Sequence, residues 1–204
     1  MGLLLFLPAG TLRWPRAWLM LGILFIPMLV AGVVLLIRSP ELLQKRLNAK
    51  EAQGEQRKVV GFSALMFAAA FITAGLSFRF MWFLLPEAVS WAAAGVFLLG
   101  YLLYAEVLRE NVWLSRTVEV QEHQQLVDTG LYGMVRHPMY MSTVLMFLSM
   151  PLVLGSGAAF LIMLAYIPIL VRRIRNEEAV LEKGLPGYAD YRRRVRYRLI
   201  PFIW

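Results

Sequence analysis

Read for hydrophobic and polar positions alone, the chain divides into long apolar runs separated by charged segments. Trp18 to Ile37 is 20 residues without a charge, Val59 to Phe78 another 20, and Ala88 to Ala105 eighteen. Each matches the roughly 20 residues a helix needs to cross a ~30 Å hydrocarbon core. Met139 to Val171 is 33 residues without a charge, too long for one crossing at ~1.5 Å per residue. Pro151 and then Gly155-Ser156-Gly157 interrupt it near its middle, which predicts a tight helical hairpin. The pattern therefore predicts an all-α polytopic membrane protein: five transmembrane helices, the last two forming a C-terminal hairpin, then a cytoplasmic C-terminal helix. We expect one integral-membrane domain over 1–204, with the N-terminal spans in 1–105 and the chemistry in 106–204.

The polar segments carry their own signals. In 38–58, Ser39 is placed to cap a helix whose first position is Pro40, and Glu41 and Lys45 stand four apart. In 106–129, Val118 and Val120 alternate with polar residues before a turn at Asp128–Gly130, an extended pattern. The tail starts as a helix from Arg172 to Lys183, turns at Gly184–Gly187 and ends in a basic stretch and an apolar IPFIW. The opening MGLLLFLPAGTLRW lacks positive charge ahead of a short apolar run, unlike a secretory signal. It is expected to form an interfacial or re-entrant segment, with Trp14, Arg13 and Arg16 near the headgroups.

Composition sharpens this picture. The chain is 59% hydrophobic and 17% charged, against about 45–50% and about 25% for soluble chains. The net charge of +8 invites a nucleic-acid reading, but its placement does not. Of 21 Lys and Arg, 18 lie in 38–58, 106–137 and 172–204, the segments that five spans put on one side. That is the positive-inside pattern, so those segments and the active site are expected at the cytoplasmic face of the inner (cytoplasmic) membrane, with no nucleic-acid partner. Arg192, Arg193, Arg194, Arg196 and Arg198 are placed to meet anionic headgroups, with Tyr197, Phe202 and Trp204 in an interfacial belt. Cysteine is absent, which removes a thiolate nucleophile and a Cys-based metal site; no metal is expected. The spans hold almost no ionisable group, Glu106 at the end of the third excepted, which disfavours an ion-coupled transporter.

Chemistry is left to the helix ends. Arg136-His137-Pro138-Met139-Tyr140 enters the hairpin and Arg172-Arg173-Ile174-Arg175-Asn176-Glu177-Glu178 leaves it. A hairpin brings its ends together, so the two clusters should be neighbours. Arg173 and Glu177, four apart, share a helix face. The bland alternatives are that Pro138 only starts a helix after a boundary His137, and that the exit charges only reach for water.

Glu110-Asn111, LVDTGLYGMVRHPMY (126–140), RIRNEE (173–178) and LPGYADYRRRVRYRLIPFIW (185–204) resemble the integral-membrane methyltransferases related to isoprenylcysteine carboxyl methyltransferase and the phospholipid N-methyltransferases. One departure is LPGY, where many relatives carry Phe-Gly and one more residue before the tyrosine. The resemblance implies binding of S-adenosylmethionine without a Rossmann sheet, consistent with the lack of a G-x-G-x-x-G element. It implies cofactor contacts from Gly130, Tyr132, Arg136, His137, Tyr140, Glu178, Tyr188 and Tyr191, a loop-to-helix turn fixed by Pro138, and catalytic roles near the transferred methyl for Arg173 and Glu177. It further implies a lipid-like methyl acceptor reaching the site from the bilayer, with a carboxylate as the leading acceptor. A phospholipid amine, a thiol, and a non-catalytic lipid-binding protein are the alternatives.

Overall fold

A computed structural model describes residues 1–47, 54–115, 118 and 120–204. Its elements are α1 (Gly2–Ala9), α2 (Pro15–Arg38), α3 (Pro40–Leu47), α4 (Gly54–Phe80), α5 (Glu87–Glu110), a 3-10 turn (Gly130–Gly133), α6 (Pro138–Val153), α7 (Gly157–Met163), α8 (Tyr166–Gly184) and α9 (Tyr188–Arg194). Among the described residues there is no strand, only an isolated bridge between Leu84 and Ser156. Four stretches are long and apolar enough to cross a membrane: Pro15–Arg38, Lys58–Phe80, Glu87–Glu110 and Gly157–Gly184, with Pro138–Val153 as a shorter fifth. Helices are the expected solution, because each satisfies its backbone N–H and C=O groups internally where no water is available.

The expected hairpin is present, and its turn lies where Pro151 and the glycines placed it. Pro151 stands in the last turn of α6, and Gly155 takes a left-handed φ of +75° between α6 and α7. The returning limb contains a second break, at Leu164–Ala165, that hydropathy did not signal. Its cause is Pro168, which has no N–H to give the Leu164 carbonyl four residues earlier; that oxygen accepts from Ile167 instead (3.1 Å). Pro40 starts α3 as expected. The Glu41–Lys45 pairing, the 48–53 part of the predicted polar helix, and Arg116, Thr117 and Glu119 of the predicted extended stretch lie outside the described residues.

The two ends of the bundle differ in material. At one end α1 packs on α4 so closely that a Cβ on Gly75 would stand 2.6 Å from the Leu5 carbonyl oxygen. Trp14 is buried inside the protein, stacked on Phe78 with ring centroids 4.7 Å apart. The hairpin tip is held there by the 81–86 loop, whose Leu85 N–H donates to Gly155 O (2.9 Å) and whose Phe83 O accepts from Gly157 (3.0 Å). At the other end α3, the 111–129 loop, α9 and the tail converge, with Leu42 of α3 buried against Val107, Leu114 and Tyr132.

Candidate functional site

The hairpin base is organised from α6 outward. Pro138 occupies the first helical turn, where its missing N–H costs nothing. His137 is held at φ −127°, ψ 61° as the boundary residue, and its carbonyl accepts from Tyr140 (3.0 Å) and Met141 (3.1 Å). This aims Arg136 and His137 at α8, the returning limb.

There they meet two adjacent carboxylates with different surroundings. Glu178 is buried and three side chains converge on it: Arg136 Nε (2.8 Å) and His137 Nε2 (3.3 Å) at Oε1, and Arg198 Nε (2.8 Å) at Oε2. A buried carboxylate persists as an ion only with such a full set of partners. Arg136 is itself committed, since its Nη1 also donates to the carbonyls of Val195 (2.6 Å) and Arg196 (2.8 Å). Glu177 has a 24% exposed side chain and lies 3.8 Å from His137 Nδ1. Its Oε2 accepts a short hydrogen bond from the Tyr140 hydroxyl, and that hydroxyl accepts from Arg173 Nε (2.8 Å). The expected Arg173–Glu177 association is thus bridged by a phenol from the other limb of the hairpin.

Beside these groups lies an open cleft of about 830 Å³, counting its solvent-open mouth. Its lining includes Arg136, His137, Pro138, Tyr140, Arg173 and Glu177 from the hairpin base, and Tyr132, Tyr188 and Tyr191. Two expected cofactor residues, Gly130 and Glu178, are not among the lining. Gly130 serves the turn: at φ +49° it leaves room for Glu110, whose carboxylate would sit 1.5 Å from a Cβ there and accepts the Leu131 N–H (3.1 Å). Glu178 lies behind the wall as the anchor for Arg136, His137 and Arg198. Among the described residues, Glu177 is the single carboxylate in the lining.

Asn111 and Leu126, from the motif blocks but given no role there, and Trp113, Gln124 and Gln125, from outside those blocks, complete the walls. Asn111 Nδ2 donates to the Tyr132 hydroxyl (2.8 Å), and Tyr191 donates to the Tyr132 carbonyl (2.8 Å). Asp128 pairs with Arg194 at 2.7 Å, tying the loop to α9. No periodicity predicts these contacts; their one sequence signal is membership in the quoted motif blocks. The Tyr188 hydroxyl is different. It is buried, it belongs to a residue lining the cleft, and it has no hydrogen-bond partner among the described residues. Burial first, and then the Glu178 and Glu177 carboxylates, push its phenol well above the usual value, so it remains a proton donor. Tyr191 is pushed the same way, again chiefly by burial.

Residues 88–186, just under half of the chain, match the family described as phospholipid methyltransferase. The mouse Delta(14)-sterol reductase is 34% identical over 91 residues, 43% of this chain and 22% of that protein. The nickel-cobalt-cadmium resistance protein of Alcaligenes xylosoxydans is 28% identical over 112 residues, 52% of this chain and 50% of that one. The cobalt-zinc-cadmium resistance protein of Cupriavidus metallidurans is 26% identical over 106 residues, 52% and 49% respectively. The chain spans between about a fifth and half of the length of these relatives. Residues 88–186 are thus similar to that family over the stretch that contains the hairpin base.

Proposed function

We propose that this protein, which matches the phospholipid methyltransferase family over residues 88–186, transfers a methyl group from S-adenosylmethionine to a lipid-like acceptor, a carboxylate in the leading case. The observation that carries the proposal is the cleft at the hairpin base, with one carboxylate in its lining and a buried Tyr188 hydroxyl beside it that is unpartnered among the described residues. A buried donor without a partner costs roughly 1–3 kcal/mol, and a ligand acceptor atom removes that cost.

The donor set fits the cofactor's chemistry. When bound, S-adenosylmethionine supplies a methyl group on a cationic sulfonium, together with an ammonium, a carboxylate and a nucleoside. Glu177 offers the carboxylate that a cation in the cleft needs. Tyr132, Tyr140, Tyr188 and Tyr191 offer ring faces for the same charge. His137 and the Tyr188 hydroxyl are donors for carboxylate or ribose oxygens. Arg173, aligned through Tyr140, is placed to orient an anionic acceptor. Charge accounting favours that acceptor class: Glu178 is already matched by two arginines, so among the described lining residues a cationic amine would compete with the cofactor for Glu177. A carboxylate acceptor requires no base, and holding it in line at ~3–3.5 Å does most of the work. The catalytic core is then 106–204, the spans of 1–105 seat it in the membrane, and the basic-residue asymmetry puts the cleft on the cytoplasmic side.

The test is transfer of labelled methyl from S-adenosylmethionine into a lipid extract of the source cells, with the labelled product identified. Titration calorimetry on protein in nanodiscs accompanies it. Absence of cofactor binding across several lipid compositions sinks the proposal. The sterol reductase relative supports one second reading, reduction of a sterol-like lipid, which predicts binding of a reducing cofactor in the same titration.

A further inference from the structure

Residues 195–204 leave α9 and cross back over the hairpin base as a strap. The carbonyls of Tyr197 and Arg198 accept the backbone N–H groups of Arg136 and His137, both at 2.9 Å. Val195 and Arg196 accept from the Arg136 side chain, and Arg198 reaches Glu178. The strap then folds on itself: the N–H groups of Arg198, Leu199 and Ile200 converge on the Trp204 main-chain oxygen at 2.9, 2.9 and 3.1 Å. Leu199 is buried, and with Trp204 packs into the cluster of Met66 and Ala70 from α4 and Ile174 from α8. The turn is therefore seated beside two helices that span the membrane.

What the turn presents outward is apolar and largely uncovered by the other described residues. Phe202 is 87% exposed, Ile203 76% and Ile200 42%. Phe202 also holds a φ of +67°, a left-handed conformation costly for a bulky side chain. Its ring contact is Tyr197, at 5.3 Å. Nearby charge is unequal. Arg192, Arg193, Arg194 and Arg198 each pair with a carboxylate, whereas exposed Arg196 has no such pair among the described residues.

We propose that the Ile200–Ile203 knuckle inserts into the interfacial layer of the bilayer beside α4 and α8, with Arg196 at the level of anionic headgroups, and that this seating steadies the strap holding His137 and Glu178. Apolar burial at the interface and headgroup attraction supply the apolar surroundings that the exposed, strained Phe202 lacks beyond its contact with Tyr197. The strap is rigidly tied at both ends, by Trp204 on one side and Arg136 and His137 on the other, so lipid contact at the knuckle and order in the cleft are coupled.

The chain contains no cysteine, so single cysteines at 196, 202 and 203 can each carry a nitroxide. In vesicles of phosphatidylcholine, alone or mixed with phosphatidylglycerol, labels at 202 and 203 are expected to relax with oxygen and be shielded from an aqueous nickel chelate. The label at 196 should show the reverse. Phosphatidylglycerol should deepen 202, and Arg196→Gln should remove that difference. A label at 202 as open to nickel as that at 196 overturns the proposal, and so does spin–spin broadening at 202, which would seat a second copy on the knuckle. The coupling rests on the methyltransferase reading and has its own readout. Phe202→Asp with Ile203→Asp should weaken S-adenosylmethionine binding in vesicles by about tenfold, while Phe202→Leu leaves it unchanged. Unaltered affinity in the double variant overturns the coupling. If the wild type binds no cofactor, the methyltransferase reading fails, and the nitroxide depths still decide insertion.

Discussion

At the tip of the α6–α8 hairpin, glycines bring neighbours in so close that Arg16 Nη1 lies 2.0 Å from where a Cβ on Gly155 would be, and Phe83 2.7 Å from one on Gly157. At its base the same two limbs are joined by arginines, a histidine, a phenol and two carboxylates. The tip and the α1–α4 contact beside it use steric fit, with Arg16 giving one hydrogen bond to Leu85 O (3.1 Å). The base uses charge. Within the base the contrast repeats on a smaller scale: Glu178 is buried and matched on both oxygens, while its neighbour Glu177 faces the cleft. Stability should therefore depend on the tip and on Glu178, and chemistry on Glu177 and Tyr188.

The largest effect is expected at Glu178. Glu178→Ala leaves Arg136 buried without its carboxylate and releases the strap at Arg198, and breaking such a network costs about 3–5 kcal/mol. A Tm loss on the order of 10 °C in detergent would follow, with cofactor binding lost as the walls move. A Glu178→Ala protein as stable as the wild type would remove the distinction between the two carboxylates. Next is Gly75→Val, which forces α1 off α4 by contact with the Leu5 and Ala9 backbone and should cost about 1–3 kcal/mol. Because the change is at the tip end, titration of the surviving folded protein should give wild-type affinity for S-adenosylmethionine. A parallel loss of affinity would mean that the ends are not independent.

Much of this contrast is legible in the sequence, for physical reasons that differ between regions. The spans follow from uncharged length, because a backbone in hydrocarbon has few alternatives to a helix. The hairpin turn follows from Pro151 and the glycines, and the meeting of RHPMY with RIRNEE follows from the turn. The second break at Leu164–Ala165 was hidden because Pro168 lies amid apolar residues that read as continuous helix. Burial of Trp14 was hidden because an aromatic beside arginines has the same composition at an interface and in a core. Most of all, nothing in an adjacent Glu-Glu pair says which carboxylate faces inward. That depends on helix phase against α6 and on a strap arriving from 20 residues further along the chain.

Smaller effects test the cleft wall. Asn111→Ala removes the donor to the Tyr132 hydroxyl (2.8 Å) and should cost about 1 kcal/mol, read as a modest Tm loss with weakened cofactor binding. Glu177→Gln keeps an acceptor for Tyr140 and removes a partly exposed charge, so its stability change should stay below about 1 kcal/mol. Methyl transfer should nevertheless fall by roughly 100-fold, the size expected for losing one aligned electrostatic partner of the reaction. If Glu177→Gln instead unfolds the protein as Glu178→Ala does, both carboxylates are structural and the cleft has lost its reactive acid.

The smallest change in stability, and the most discriminating result, is expected at Tyr188. Its hydroxyl is buried without a partner among the described residues, so Tyr188→Phe removes a desolvated donor and should leave the ligand-free protein equally stable or more stable. A pH series provides an independent readout. Burial raises the Tyr188 and Tyr191 phenols in the folded protein, whereas an unfolded tyrosine ionises near pH 10. The contribution of each is therefore full below about pH 10 and is lost as pH rises above it, when the unfolded chain releases protons that the folded protein retains. Wild-type Tm should fall above about pH 10, and Tyr188→Phe should fall less steeply because one raised phenol is gone. Loss of stability at neutral pH would mean that the hydroxyl has a structural partner. A more stable variant with weakened cofactor binding would place Tyr188 with Glu177, among the groups that serve the ligand and not the fold.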